Sequence, residues 1–321
     1  MTSTPHKSGS LALARLAMRT RFEVVIADVD DRARLQAAGE EALDEIERCE
    51  SLLSAHRDDA ELFRINARAN DEAVRVDPRM MAFLLRAREA SILSDSAFDL
   101  TAGALVACWR SANERGQVPD NAAIAVARDA CSMDLVLLDK DACTVRFTRP
   151  GMRLDPGAVG KGYTLERAAA LLRELGIRAA LLHGGTSTIA AIGHPPGQDA
   201  WPVAIRHPLK ADVSLATAML RDISLSVSAG HGRAFTVGDH RYGHVIDPRS
   251  GWPVAGNLLA AVIHRSALVS DALSTALLVL GHEGMELLTE RCPGISLLLV
   301  RRVGEEVTVE TIGAGFGAVI G

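Results

Sequence analysis

The chain has 321 residues, of which 48% are hydrophobic and 23% charged, and its formal net charge is −5 at pH 7. Such a balance can bury a sizeable core, which excludes a disordered chain, and the negative charge argues against nucleic acid as a partner. Aromatic residues make up only 4%, so Ala, Leu and Val must fill most of the interior.

The five cysteines, Cys49, Cys108, Cys131, Cys143 and Cys292, are odd in number and form no C-x-x-C pair, so neither a disulfide framework nor a zinc site is expected. No apolar run approaches the ~20 residues that a membrane span needs. Leu11 to Met18 is short, is broken by Arg15, and has no cysteine after it for a lipid anchor. A cytoplasmic protein without stable membrane insertion is the expectation. Residues 1–17 read as a flexible leader and residues 18–321 as a single domain.

In chain order, TRFEVVIA (Thr20 to Ala27) alternates and reads as a strand, and Ala33 to Leu53 carries apolar residues near a 3.6 period, as an amphipathic helix does. Asp77-Pro78 should start a second helix reaching about Leu93, with the aspartate as cap and the proline in the first turn. Asp134 to Phe147 looks like two short strands around Asp139-Lys140-Asp141. The segment LDPGAVGKGY, Leu154 to Tyr163, leads into a helix from Thr164 to Leu175 that Gly176 closes. Ala179 to Ile192 reads as strand, glycine turn and strand, and Val203 to Arg206, Leu225 to Ser228 and Arg241 to Ile246 are further strand candidates. Ala267 to Leu280 is helical and is stopped by Gly281. A short helix to about Thr289 and a hairpin around Gly304 follow. Strand pairs joined by short turns favour an α+β fold with a mixed, largely antiparallel sheet packed with helices.

Five segments could carry chemistry. In Asp155-Pro156-Gly157-Ala158-Val159-Gly160-Lys161-Gly162-Tyr163, a glycine-rich loop entering a helix can cradle phosphate with backbone N–H groups, and Lys161 adds a point charge. The spacing matches neither the P-loop nor G-x-G-x-x-G, and a plain turn with a surface lysine fits as well. Asp271 and Thr275, at i and i+4, share a helix face and offer hard oxygens suited to Mg2+; alternatively Asp271 is an N-cap or first-turn acid. His244, in RYGHVIDPRSG, is a candidate general base or an ordinary structural histidine, and Asp247-Pro248 is also common turn chemistry. Phe98-Asp99-Leu100-Thr101-Ala102-Gly103 could cap a helix or line a flat ring, and His183-Gly184-Gly185-Thr186-Ser187 could be a ligand-approach turn or a hairpin.

Taken in order, these segments resemble the ApbE family, the FAD:protein FMN transferases, from Met18 to about Leu288. The likeness runs through MRTRF at Met18, LSAHRDDAELFRIN ending at Asn66, Phe98 to Gly103, LDPGAVGKGY, His183 to Ser187, RYGHVIDPRSG and SDALSTALLVLG ending at Gly281. It implies a two-lobed, T-fold-like architecture and a Mg2+-dependent enzyme that moves FMN from FAD to a Thr or Ser hydroxyl of an acceptor flavoprotein, releasing AMP. It also implies FAD contacts from Met18, His56, Ala97, Phe98, Asp99, Asp155, Lys161, Val245 and Ile246. Mg2+ would be held by the Ala158 carbonyl with Asp271 and Thr275, and His244 and Asp271 would be catalytic. Arg19 stands where the family has a glycine, His56 where it has an aromatic, Ala60 where serine is frequent, and Gly230-His231 where an acidic pair is usual. Alternative readings are an FAD pyrophosphatase using water as acceptor, a non-catalytic FAD-binding or delivery protein, and a flavin oxidoreductase.

Overall fold

A computed structural model describes residues 10–28, 31–210, 212–230, 234–238 and 240–317. In chain order the elements are β1 (Leu11–Ala17), β2 (Thr20–Ile26), α1 (Arg32–Leu53), α2 (Glu61–Arg68), β3 (Val74–Arg75), α3 (Pro78–Leu93), α4 (Gly103–Glu114) and α5 (Asn121–Asp129). Then come β4 (Val136–Asp139), β5 (Thr144–Phe147), α6 (Gly160–Glu174), β6 (Ala180–Gly184), β7 (Thr188–Ile192), β8 (Trp201–Arg206), β9 (Ser214–Leu220) and β10 (Ser224–Ala229). The last are β11 (Ala234–Val237), β12 (His240–Gly243), β13 (Asn257–His264), α7 (Ala267–Leu280), α8 (His282–Arg291), β14 (Ser296–Val303) and β15 (Glu306–Ile312).

An eight-stranded sheet, ordered β1-β2-β6-β7-β10-β13-β14-β15, forms the frame. Among the described residues its ladders are all antiparallel, and a parallel bridge, Ala102 with Arg153, lies outside this sheet. The class is α+β. Alternation puts Phe22, Val24, Ile26, Ala180 and Leu182 on one face against α1 and α6, while Val25, Leu181 and Ala191 face the β8-β9 hairpin on the other. Further along the first face, Ala260, Val262, Leu297 and Leu299 pack on α7 and join a core shared with α3 and with the small sheet β3-β5-β4. No helix among the described residues is long and apolar enough to cross a membrane.

Local chemistry accounts for the elements that the sequence announces. The Asp77 carboxylate accepts from Arg79 N at 2.7 Å and Pro78 fills the first turn, so α3 starts where expected. Gly281, at φ +65°, ends α7.

Three expectations are corrected. Leu11–Ala17, assigned to a leader, is an edge strand paired along its whole length with β2, because Leu11 and Ala17 reach the core; residues 1–9 of that leader lie outside the described residues. Helix α6 begins at Gly160 and not at Thr164, since packing overrides the low helix propensity of its glycines. Strand β12 stops at Gly243, so His244 to Asp247 form a loop. The two-residue turn between β1 and β2 consists of Met18 and Arg19 at φ +48° and +59°, a left-handed conformation in which Arg19 carries strain that a glycine there would not.

Candidate functional site

Two distant motifs meet at the start of α6. The loop before it is set by Asp155, whose N–H donates to Leu100 O at 2.8 Å and whose Oδ1 accepts from Gly157 N at 2.8 Å. Gly160 N then donates to Pro156 O at 2.7 Å and the helix is under way. Its first turn leaves amides without helical acceptors, and one of them, Gly162 N, donates to Asp271 Oδ2 at 2.9 Å. Thr188 Oγ1 donates to Asp271 Oδ1 at 3.1 Å, and Lys161 Nζ lies 3.5 Å from the same oxygen. A carboxylate only 4% exposed is thus held by an amide, a hydroxyl and an ammonium at the positive end of a helix.

Asp271 neither caps α7 nor lies in its first turn. Ser266 is the cap, accepting from Val269 N, and Asp271 belongs to the second turn, on the face that meets α6. The meeting depends on Gly162, because a Cβ there would stand 2.2 Å from Ala267 O and 2.7 Å from Asp271 Cβ. The Gly162 amide is also the group that would close on the Ala158 carbonyl four residues back; since it turns to Asp271, that carbonyl stays outside the helical ladder. One turn beyond Asp271, Thr275 Oγ1 lies 3.1 Å from Ser228 Oγ.

The other predicted residues divide into two groups. Met18 is held against this centre: its N–H donates to Glu50 Oε1 at 2.8 Å, and its sulfur lies 3.7 Å from Thr164 Oγ1 of α6. His56 and Asp155 line a common cleft of about 150 Å3 with Gly103, Arg110 and Arg153. Ala97 and Phe98 are buried in the core, and the buried Asp99 carboxylate accepts from Ser91 Oγ, Thr101 N, Thr101 Oγ1 and Met133 N.

His244, Val245 and Ile246 sit on a separate loop. Val254 N donates to Val245 O at 2.9 Å, Ile246 bridges to Pro253, and Ile246 packs with Leu105 and Ile124 from α4 and α5. Trp109 of α4 pins the loop by donating from Nε1 to Gly251 O at 2.8 Å. His244 itself is exposed, and Asp247 accepts from both the amide and the guanidinium of Arg249. His231, noted as a departure from the family, lies outside the described residues.

Several contributors escaped the sequence reading. Thr188 lies one residue past the glycine turn that was noted, and Ser228 was read only as the end of a strand. Glu166 accepts from Arg86, from Ser266 Oγ at 2.6 Å and from Leu268 N at 3.3 Å, and so ties α6, α3 and the start of α7 together. Burial pushes the Glu166 carboxyl up, but the bonds from Arg86 and Ser266 outweigh it and hold it below the ordinary range. The thiols take no part: burial raises Cys49 and Cys131 to about 12.

The model of the ApbE family matches residues 18–299. The chain belongs to the ApbE family. It is accordingly an enzyme, a transferase. An FAD:protein FMN transferase of Treponema pallidum (strain Nichols) is 32% identical over 302 residues, 89% of this chain and 83% of the relative. One of the same name from Klebsiella pneumoniae (strain 342) is 32% identical over 240 residues, 74% of each chain. The ApbE protein of Thermotoga maritima superposes with a TM-score of 0.84 at 26% identity, covering 94% of this chain and 96% of that one. The Pseudomonas stutzeri flavinyl transferase ApbE, in its apo form, gives 0.82 at 26% identity, with 94% of each chain covered. The ApbE match thus spans both the Asp271 centre and the His244 loop.

Proposed function

We propose that this chain transfers the FMN half of FAD to a threonine or serine hydroxyl of an acceptor protein, releasing AMP, with Mg2+ as its metal. The observation that carries this reading is the seat of Asp271, a buried carboxylate docked on the first turn of a glycine-rich helix beside Lys161. The oxygens near it suit a hard cation: the Asp271 carboxylate, the Thr275 hydroxyl and the Ala158 carbonyl would hold Mg2+, with phosphate oxygens and water completing the shell. Bound there, Mg2+ supplies positive charge against the pyrophosphate.

The protein's own groups do the rest. Lys161 and the positive end of α6 orient and neutralise the phosphates, while Met18, His56 and Asp155 bound the region where the dinucleotide lies. His244, carried on the pinned loop, takes the proton of the acceptor hydroxyl as its oxygen bonds to the FMN phosphorus. The phosphorus–oxygen bond to AMP breaks and AMP leaves.

Incubation with FAD, Mg2+ and a candidate acceptor, followed by intact mass of the acceptor, tests the reading. Covalent FMN on the acceptor is expected, whereas free FMN with AMP and an unmodified acceptor would indicate hydrolysis. Asp271→Ala should lower Mg2+-dependent transfer at least about a hundredfold, and His244→Ala should slow transfer by a similar factor while sparing FAD binding. Transfer at the parental rate by Asp271→Ala would remove the metal assignment.

A further inference from the structure

Strand β10 turns Ser226 and Ser228 to the same face, and α7 sets Ser270 and Ser274 one turn apart opposite them. Ser226 Oγ lies 3.1 Å from Ser270 Oγ. One step along, Ser228 Oγ lies 2.8 Å from Ser274 Oγ and 3.1 Å from Thr275 Oγ1. Ser226, Ser270 and Ser274 are 0% exposed, so solvent protons do not decide how these three hydroxyls point, whereas Ser228 and Thr275 are half-buried. Each hydroxyl has one proton to give and two lone pairs to receive.

That rule fixes the direction of the chain. Ser274 Oγ donates to Asp271 O at 2.9 Å, which uses its proton and makes it an acceptor towards Ser228. Ser228 therefore spends its proton on Ser274, and in its contact with Thr275 it can only accept. Thr275 must donate to Ser228. With its proton turned towards β10, the Thr275 oxygen keeps both lone pairs for an electrophile on the other side, the condition a cation ligand must meet.

We propose that Ser228 is a positioning residue for the metal centre: through the relay Thr275 to Ser228 to Ser274 to the Asp271 carbonyl, it holds the Thr275 hydroxyl as a lone-pair donor to the divalent cation. The inference rests on the metal reading above. Ser228 touches neither metal nor substrate in this scheme. If Ser228 loses its oxygen, Thr275 is free to rotate its proton into the cation's place. If Ser274 loses its oxygen, Ser228 can turn its proton onto Thr275, taking one of its two lone pairs and leaving the Thr275 proton to turn towards the cation, although Ser274's own side chain has no bond to Thr275.

The test is Mn2+ binding, followed by the loss of the free-ion electron paramagnetic resonance signal on titrating protein with FAD present. It needs no turnover. Ser228→Ala and Ser274→Ala should each weaken Mn2+ about tenfold, about 1.4 kcal/mol, while Ser228→Thr, which keeps the hydroxyl, stays within about twofold of the parent. FAD affinity in excess chelator should be unchanged in all three, which, with an unaltered melting temperature, separates the relay from a fold defect. Parental Mn2+ affinity in Ser228→Ala would overturn the proposal. Weakening in Ser228→Ala but not in Ser274→Ala would overturn the relay and leave a simple contact. If the parent and Asp271→Ala take up Mn2+ equally, or neither takes it up, the metal reading fails and the relay with it.

Discussion

Gly162 shows how one missing side chain can place a buried carboxylate. Its Cα hydrogen faces the Ala267 carbonyl, and a methyl group there would have to displace backbone, which has no rotamer to retreat into. Gly162→Ala is therefore expected to cost about 2 kcal/mol or more, at the upper end of overpacking changes, despite alanine's better helix propensity. Urea denaturation measures this. Transfer should fall further than the folded fraction does, because the new methyl also meets Asp271 Cβ. From sequence, Gly162 looked like part of a flexible phosphate loop; its real role is close packing of two helices, and nothing local to LDPGAVGKGY says which helix approaches.

Helix α7 carries Asp271 and Thr275, and what fixes its start is a carboxylate on another helix. Glu166 of α6 receives the Ser266 hydroxyl, the Leu268 amide and the Arg86 guanidinium, so α6, α7 and α3 share one electrostatic joint. Glu166→Gln keeps the shape but loses the charge, and should destabilise the protein by about 1–2 kcal/mol at neutral pH, as expected for hydrogen bonds to a partly buried charge. The pH dependence has a definite sign. Because the folded carboxyl titrates below its unfolded value of about 4.3, the stabilisation is fully present above that pH and is lost as pH falls through the folded value. The stability gap between parent and Glu166→Gln in urea melts should therefore close in acid. A gap that widened there would contradict the joint. The helices themselves were legible: the bounds of α3 and α7 follow from Asp77-Pro78 and from Gly281. Their mutual attachment was not, since Glu166 looks like any exposed acid in a helical pattern.

Across the whole molecule, the loop with His244 is also held by residues far from it in the chain. Trp109 reaches it from α4, 142 residues earlier in the chain, and Ile246 is clamped between Leu105 and Ile124. Trp109→Phe preserves most of the ring but strands the Gly251 carbonyl. The expected loss is about 1–3 kcal/mol in thermal or urea melts. FMN transfer should slow at saturating FAD, with FAD affinity unchanged, if the loop's contribution is to present His244. Equal losses in affinity and rate would instead mark the loop as part of the dinucleotide cleft.

The order of motifs, the capped helices, the hairpins and the α+β class were determined by the sequence, because each rests on interactions within a few residues: a carboxylate on the next turn, a proline ring, a glycine at positive φ. The Asp271 and Thr275 pair was equally visible, as i and i+4 on one helix face. Tertiary structure decided what those groups face. It put Asp271 against the amide of Gly162, sent Asp99 into the core, moved Leu11–Ala17 from leader to sheet and brought Ser228 beside Thr275. These outcomes depend on contacts between segments far apart in the chain, and no local spacing encodes which distant surface will arrive.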